Sequence, residues 1–292
     1  MIRIGGVEIR RIEEVMLLEP TSVFAQWHKE IADEHWDWLG PNFYDPKAEA
    51  FVISVHTWLV KARERIILVD TGAGNDKERP ASPRFHRLRT PFLARLREAG
   101  VSPADVDLVI CTHLHVDHVG WNTRLVDGRW VPTFPNATYV MSRVEIEARD
   151  PRRRAANKPE ANRQPFLDSV LPILEAGKAR IVEGNERLTD QIDLMPIPGH
   201  APGQMAVRLR SRGEEALLVA DAMHQPIQVY YPGWNSKYCE DPDLARKTRR
   251  RVLDYCAERG NLMCPVHFGP PYCGRVVRRD AGFAFVPSPT LP

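Results

Sequence analysis

No stretch of the 292-residue chain approaches the roughly 20 consecutive apolar residues needed to cross a bilayer. The opening Met1-Ile2-Arg3-Ile4-Gly5-Gly6 also lacks the apolar run of a secretory signal. A soluble, cytoplasmic protein with no membrane partner is therefore expected. Cysteine is scarce: Cys111, Cys239, Cys256, Cys264 and Cys273 make an odd set of five, and no two are spaced C-x-x-C. That argues against a disulfide framework and against a Cys-type structural zinc site, leaving free thiols in a reducing compartment. Charge of one sign is also missing. A formal net charge of +2 gives no electrostatic case for a nucleic-acid partner. No internal repeat stands out at periods of 20–50 residues. What is present is an ordinary globular composition, 43% hydrophobic and 27% charged, in a chain long for one domain but within the range of a single layered α/β domain.

Strand-like and helix-like segments alternate along it. Residues 2–18 read as strand with a turn at Gly5-Gly6, and Phe51–Val60 with Arg65–Asp70 as a hairpin rich in β-branched residues. Between them, residues 24–44 hold Phe24, Trp27, Trp36, Trp38, Phe43 and Tyr44, too aromatic for a solvated linker, and are expected to pack as loop and short helix. A helix is expected over Pro91–Ala99, ended by Gly100, and a strand over Leu108–Cys111. Further on come a strand at Ala137–Met141, a helix opening at Ser142, a solvated polar loop over Asp150–Arg163 and an amphipathic helix over Phe166–Ala176. Strands recur at 179–182, 191–197, 204–209 and 216–219. A long helix over Asp243–Arg259 stops at Gly260, Leu262–Val266 is the last strand expected, and prolines extend residues 286–292. Two clusters of strands, each followed by helices, suit two stacked mixed sheets flanked by helices.

The chemistry gathers just after Leu108–Cys111, where His113, His115, Asp117 and His118 fall within six residues. Imidazole nitrogens and carboxylate oxygens are the donors that borderline cations such as Zn²⁺ prefer. Residues i and i+2 on extended backbone point the same way, so His113 and His115 can reach one ion together. Asp117 and His118, on the following turn, can reach a second. The alternative, a polar loop with incidental histidines, would crowd costly polar groups behind a buried strand for no return.

The segment His113-Leu114-His115-Val116-Asp117-His118 resembles the H-x-H-x-D-H signature of the metallo-β-lactamase superfamily. Val69-Asp70-Thr71-Gly72 resembles its D-T-G motif, and Pro198-Gly199-His200-Ala201-Pro202-Gly203 its P-G-H-T-P-G loop. Val219-Ala220-Asp221 resembles the strand end with a bridging carboxylate, and Pro265-Val266-His267-Phe268-Gly269 the late loop with the final histidine. The resemblance implies an α/β, four-layer αββα metallo-β-lactamase fold in one domain over residues 1–292, with residues 1–50 as an aromatic-rich extension. It further implies two divalent metal ions, most simply Zn²⁺: His113, His115 and His200 on the first, Asp117, His118 and His267 on the second, and Asp221 bridging. Asp70 would support the ligands through hydrogen bonds. A water between the ions would lose a proton near neutral pH and attack a carbonyl or phosphoryl centre.

Substrate class is read from departures within the family. The histidine after Asp117, together with Asp221, argues against the drug-hydrolysing branch. Acyl-homoserine lactonases often place a tyrosine shortly after the bridging aspartate, where this chain has His224. Asp221-x-x-His224, followed by an expected strand with Gln228, is more similar to the methyl parathion hydrolase and dihydrocoumarin-type lactonase branch. The expectation is a hydrolase of small-molecule lactones or aryl esters, with Asp117, Asp221 and His224 acting in the reaction and His224 contacting substrate or leaving group. Alternatives are a glyoxalase-II-like thioesterase, a phosphotriesterase, or a non-hydrolytic iron-binding oxidoreductase. His224 can equally be a structural histidine. Trp121, Met223, Tyr230, Tyr231, Trp234 and the aromatics of 24–44 are either pocket walls, core, or a homodimer contact.

Overall fold

The β-branched runs become strands, and where strands lie parallel their loops issue side by side, which is what assembles each group of functional side chains. The computed structural model describes residues 1–153, 160–280 and 282–288. Its contacts divide into two compact units, Met1–Gly5 with Met16–Ser54 and Arg187–Pro292, and Gly6–Val15 with Val55–Glu186.

In the second unit the strand order is residues 7–15 of Val7–Pro20, residues 55–62 of Ala50–Ala62, then Arg65–Val69, Leu108–Ile110, Thr138–Ser142 and Ala179–Val182. The last four are mutually parallel. Parallel strands covered on both faces need continuous apolar runs, and Ile67, Leu68, Val69, Val109 and Ile110 are all buried. Leu59, Leu68, Val109 and Tyr139 pack with Phe92 and Leu96 of the helix Phe92–Glu98 and with Phe166 and Ile173. Val69 pairs with Ile110, so Asp70 and Thr112 leave the sheet at neighbouring strand ends.

In the first unit seven strands follow the order Glu186–Thr189, Ile192–Pro196, Met205–Ser211, Glu214–Ala220, Leu262–Pro265, Gly274–Arg279 and Gly282–Pro287. Glu214–Ala220 and Leu262–Pro265 are parallel, so Asp221 and the loop bearing His267 emerge together. The helix Pro242–Arg259 starts where the Asp241 side chain accepts the Leu244 N–H, and ends on Gly260 in the left-handed region at φ 59°. It buries Ala245, Thr248, Arg249, Val252, Leu253 and Cys256, one face of the helix. The aromatic segment forms the helices Glu30–Glu34 and Trp36–Leu39. Phe24, Phe43, Tyr44 and Phe51 join this unit's core, and Trp38 stacks on Tyr230 with ring centroids 3.9 Å apart.

Mixed sheets with flanking helices are thus the class expected, but several elements differ. Gln228 is not on a strand: Ile227–Tyr230 is one helical turn, because the Gln228 carboxamide oxygen turns back to accept the His224 N–H at 2.6 Å. Phe166–Ala176 is not one regular helix but a π-helical turn over Phe166–Val170 followed by Leu171–Glu175. Pro172 has no N–H to offer the Asp168 carbonyl, which is taken instead by Lys77 Nζ at 3.1 Å and by the Thr123 hydroxyl. The expected loop over Asp150–Arg163 gives way to the helix Glu160–Pro165, while residues 154–159 lie outside the described residues. Leu262–Val266 is not the last strand either. Two more follow, the second burying Phe283, Ala284 and Phe285 in a short apolar run that carries no period-two alternation.

Candidate metal centre

Each unit gathers one set of metal-type side chains. In the second unit these are His113, His115, Asp117 and His118. Asp70, itself at φ 58° and so in a left-handed conformation rare for a side-chain-bearing residue, is buried beneath them. Its carboxylate accepts the Thr112 N–H at 2.8 Å and the Thr112 hydroxyl, and lies 2.9 Å from His118 Nδ1. A hydroxyl has one hydrogen. With that hydrogen on Asp70, Thr112 Oγ1 accepts from His113 Nδ1, 3.1 Å away. Two histidines thereby keep their protons on Nδ1, and both present Nε2 as a lone pair, the form a cation requires. His118 Nε2 lies 3.7 Å from Asp117 Oδ1, and His113 Nε2 lies 3.1 Å from His115 Nδ1. On the far side of the His115 ring, Arg149 Nη2 approaches Nε2 at 3.0 Å, and buried Glu145 accepts the Leu114 N–H.

The loop itself admits no slack. A Cβ on Gly120 would stand 1.9 Å from the Ala73 carbonyl. Ala73 and Gly74 donate their N–H groups to Glu14, as does Trp121 Nε1 at 2.7 Å. Burial pushes the Glu14 carboxyl up to about 7, against those hydrogen bonds. Trp121 is buried, stacked on Phe92, and belongs to this unit's core.

In the first unit Asp221 is the hub. Its Oδ2 lies 3.2 Å from His200 Nε2 and 3.3 Å from His224 Nε2, and its Oδ1 lies 3.3 Å from His267 Nε2. His267 Nδ1 donates to the Ser54 carbonyl at 3.0 Å, so its Nε2 too is held as a lone pair. Ala220, just before the hub, is left-handed at φ 45°, at a break in register with the neighbouring strand. Gly199 precedes His200 at φ 132°, and a Cβ there would stand 2.3 Å from Ala245 N. Ligand atoms of His200, Asp221 and His224 all lie within 4.8 Å of one another. Buried nitrogen and oxygen donors converging in this way, with the Nε2 of His267 held as a lone pair, fit a divalent cation. Burial holds the His224 ring below the usual histidine range, against the pull of Asp221. Its Nδ1 has no hydrogen-bond partner among the described residues.

His113, His115, Asp117 and His118 thus fall in one of these sets, and His200, Asp221, His224 and His267 in the other. Thr112, Ser54, Glu14, Glu145, Arg149 and Arg249 were not anticipated. Thr112 adjoins the His113–His118 signature and Ser54 leaves no local signal; for Glu14, Glu145, Arg149 and Arg249 the one hint is a charged residue on an otherwise apolar strand or helix face.

The family model of the metallo-beta-lactamase superfamily matches residues 50–267. The N-acyl homoserine lactonase AiiA of Bacillus thuringiensis subsp. kurstaki is 25% identical over 220 residues, 69% of this chain and 76% of that protein. Among solved structures, the hydrolase AbOPH of the beta-lactamase superfamily superposes with a TM-score of 0.82 at 23% identity, covering 100% of this chain and 97% of its own. The dizinc quorum-quenching lactonase AidC, in complex with a product, gives 0.79 at 24% identity with the same coverage. These two likenesses speak to the fold alone.

Proposed function

The chain belongs to the metallo-beta-lactamase superfamily, and from that premise we propose that it is a metal-dependent hydrolase that opens lactones and cleaves aryl esters with two divalent cations, most simply zinc. His113, His115 and His200 hold the first cation in this reading, Asp117, His118 and His267 the second, and Asp221 both. Residues 1–292 form one hydrolase domain in this reading, residues 1–50 being its extension, and the free thiols suit the cytoplasm. The observation that carries the reading is tautomer control. Thr112, Asp70 and Ser54 each take an Nδ1 proton, leaving His113, His118 and His267 with Nε2 lone pairs. A fold with no cation to bind has no use for three histidines locked in one protonation state.

Bound divalent cations supply carbonyl polarisation and bring water toward ionisation near neutral pH. The protein's own part is to keep its ligands deprotonated, to exclude bulk water by burial, and to hold His224 beside the reacting group. His224 Nε2 lies near Asp221, while the buried Nδ1, without a partner among the described residues, is costly unless something uses it. It can steady the substrate or return a proton to the leaving oxygen. That the relative named above by sequence is a lactonase favours a lactone over a thioester or phosphotriester.

The test is a panel of alkyl lactones, aryl esters, thioesters and phosphotriesters on metal-loaded protein, with elemental analysis alongside. About two metals per chain and preferential lactone opening are expected. A single iron per chain with oxygen consumption, or turnover of thioesters alone, would overturn the proposal.

A further inference from the structure

Arg249 projects from the helix Pro242–Arg259 and is fully buried. No carboxylate is among its hydrogen-bond partners in the described residues. Nε donates to the Ala222 carbonyl at 2.8 Å, Nη1 to the carbonyls of Pro232 at 2.9 Å and Trp234 at 2.6 Å, and Nη2 to Asn235 Oδ1 at 3.1 Å. Those partners are the two ends of one loop. It leaves the sheet at Asp221, carries His224, and comes back to that histidine at Ser236, whose hydroxyl lies 3.5 Å from His224 Nε2. A second side chain ties the middle. Gln228 donates to the same Trp234 carbonyl at 3.0 Å, while its carboxamide oxygen accepts the His224 N–H at 2.6 Å. From Arg249 a continuous path thus runs through Trp234 and Gln228 to the backbone of His224.

Burying a guanidinium with no carboxylate partner among the described residues is expensive, and an apolar side chain of similar size would pack helix against loop at lower cost. Burial indeed brings Arg249 down to about 10. The charge is explained by what only a five-donor planar fork can do, which is to hold several carbonyls in fixed relation. We propose that Arg249 is a positioning residue that sets His224 against Asp221, and so governs the substrate step rather than ion uptake. This rests on the reading of His224 as the group facing substrate.

A double-mutant cycle on the metal-loaded full chain tests it, with His224→Ala, Arg249→Lys and the pair, scored by kcat and KM on an alkyl lactone and a p-nitrophenyl ester and by metal content. Lysine keeps the charge but cannot fork. His224→Ala should lose roughly 10²-fold in kcat. Arg249→Lys should lose about tenfold in kcat with KM and metal content held, the scale of one misaligned hydrogen bond. The double variant should be no slower than His224→Ala, since the second change acts through a ring already gone. Losses that multiply in the double variant, or metal lost from Arg249→Lys, would overturn the role of Arg249 while leaving that of His224 intact. Normal turnover by His224→Ala would overturn both. Should Arg249→Lys not fold, Asn235→Ala removes one acceptor of the fork, and its smaller loss of kcat should likewise vanish in the His224→Ala background.

Discussion

Replacing Asp70 by asparagine changes one buried oxygen to an amide nitrogen and leaves the shape alone. Asp70 accepts from three groups: the Thr112 N–H, the Thr112 hydroxyl and His118 Nδ1. In Asp70→Asn the remaining oxygen is best kept by the Thr112 N–H, which cannot rotate away, so the new NH₂ faces His118. The His118 ring must then accept at Nδ1 and carry its proton on Nε2, the nitrogen assigned to the second cation. One hydrogen bond to a charged group is worth about 1.5–3 kcal/mol, and about 1.4 kcal/mol is a factor of ten. The second ion should therefore bind roughly 10–100-fold more weakly, in line with what outer partners of ligating histidines contribute. Its neighbour should be spared, because Thr112 can still accept from His113 Nδ1. The chelated protein should melt roughly 3–12 °C lower, at about 2–4 °C per kcal/mol for a chain of this size. Metal-free protein refilled one equivalent at a time against a chromogenic chelator separates the two ions. Uptake of both equivalents with unchanged affinity by Asp70→Asn would refute the tautomer argument, and with it the observation on which the metal assignment stands.

Two further outcomes follow from the same geometry. Asp221→Ala should abolish turnover and weaken cation binding while circular dichroism stays native, because the hub touches three imidazoles but sits at a strand end outside the core; near-normal turnover would remove Asp221 from the centre. Glu14 should make the chelated protein less stable as pH rises. Its carboxyl titrates near 4.5 unfolded and about 7 folded, so its contribution is full below 4.5 and is lost as pH climbs through 7, by roughly 3 kcal/mol. In Glu14→Gln the Gly74 and Trp121 bonds, both on one oxygen, can persist while that of Ala73 cannot. The difference in melting temperature between wild type and Glu14→Gln should then shift between pH 5 and pH 8, and a difference independent of pH would place the proton elsewhere.

The sequence by itself determined where the metal-type side chains cluster and what kind of strand precedes them. His113, His115, Asp117 and His118 are legible because a cation needs nitrogen and oxygen donors at fixed spacing on one short stretch of backbone, a local constraint. The helix Pro242–Arg259 was legible for a similar reason, its cap and its terminal glycine being adjacent to what they end. Only tertiary structure decided which nitrogen of His113, His118 and His267 keeps its proton, and which residues hold the loops. Asp70 lies 48 residues from His118, Glu14 lies 59 from Ala73, and Arg249 lies 27 from Ala222. Gln228, expected on a strand, sits in a helical turn because its side chain satisfies the His224 and Gln225 N–H groups. A hydrogen bond to a buried group is chosen by whichever acceptor packing brings within about 3 Å once water is excluded, and no periodicity along the chain encodes that choice.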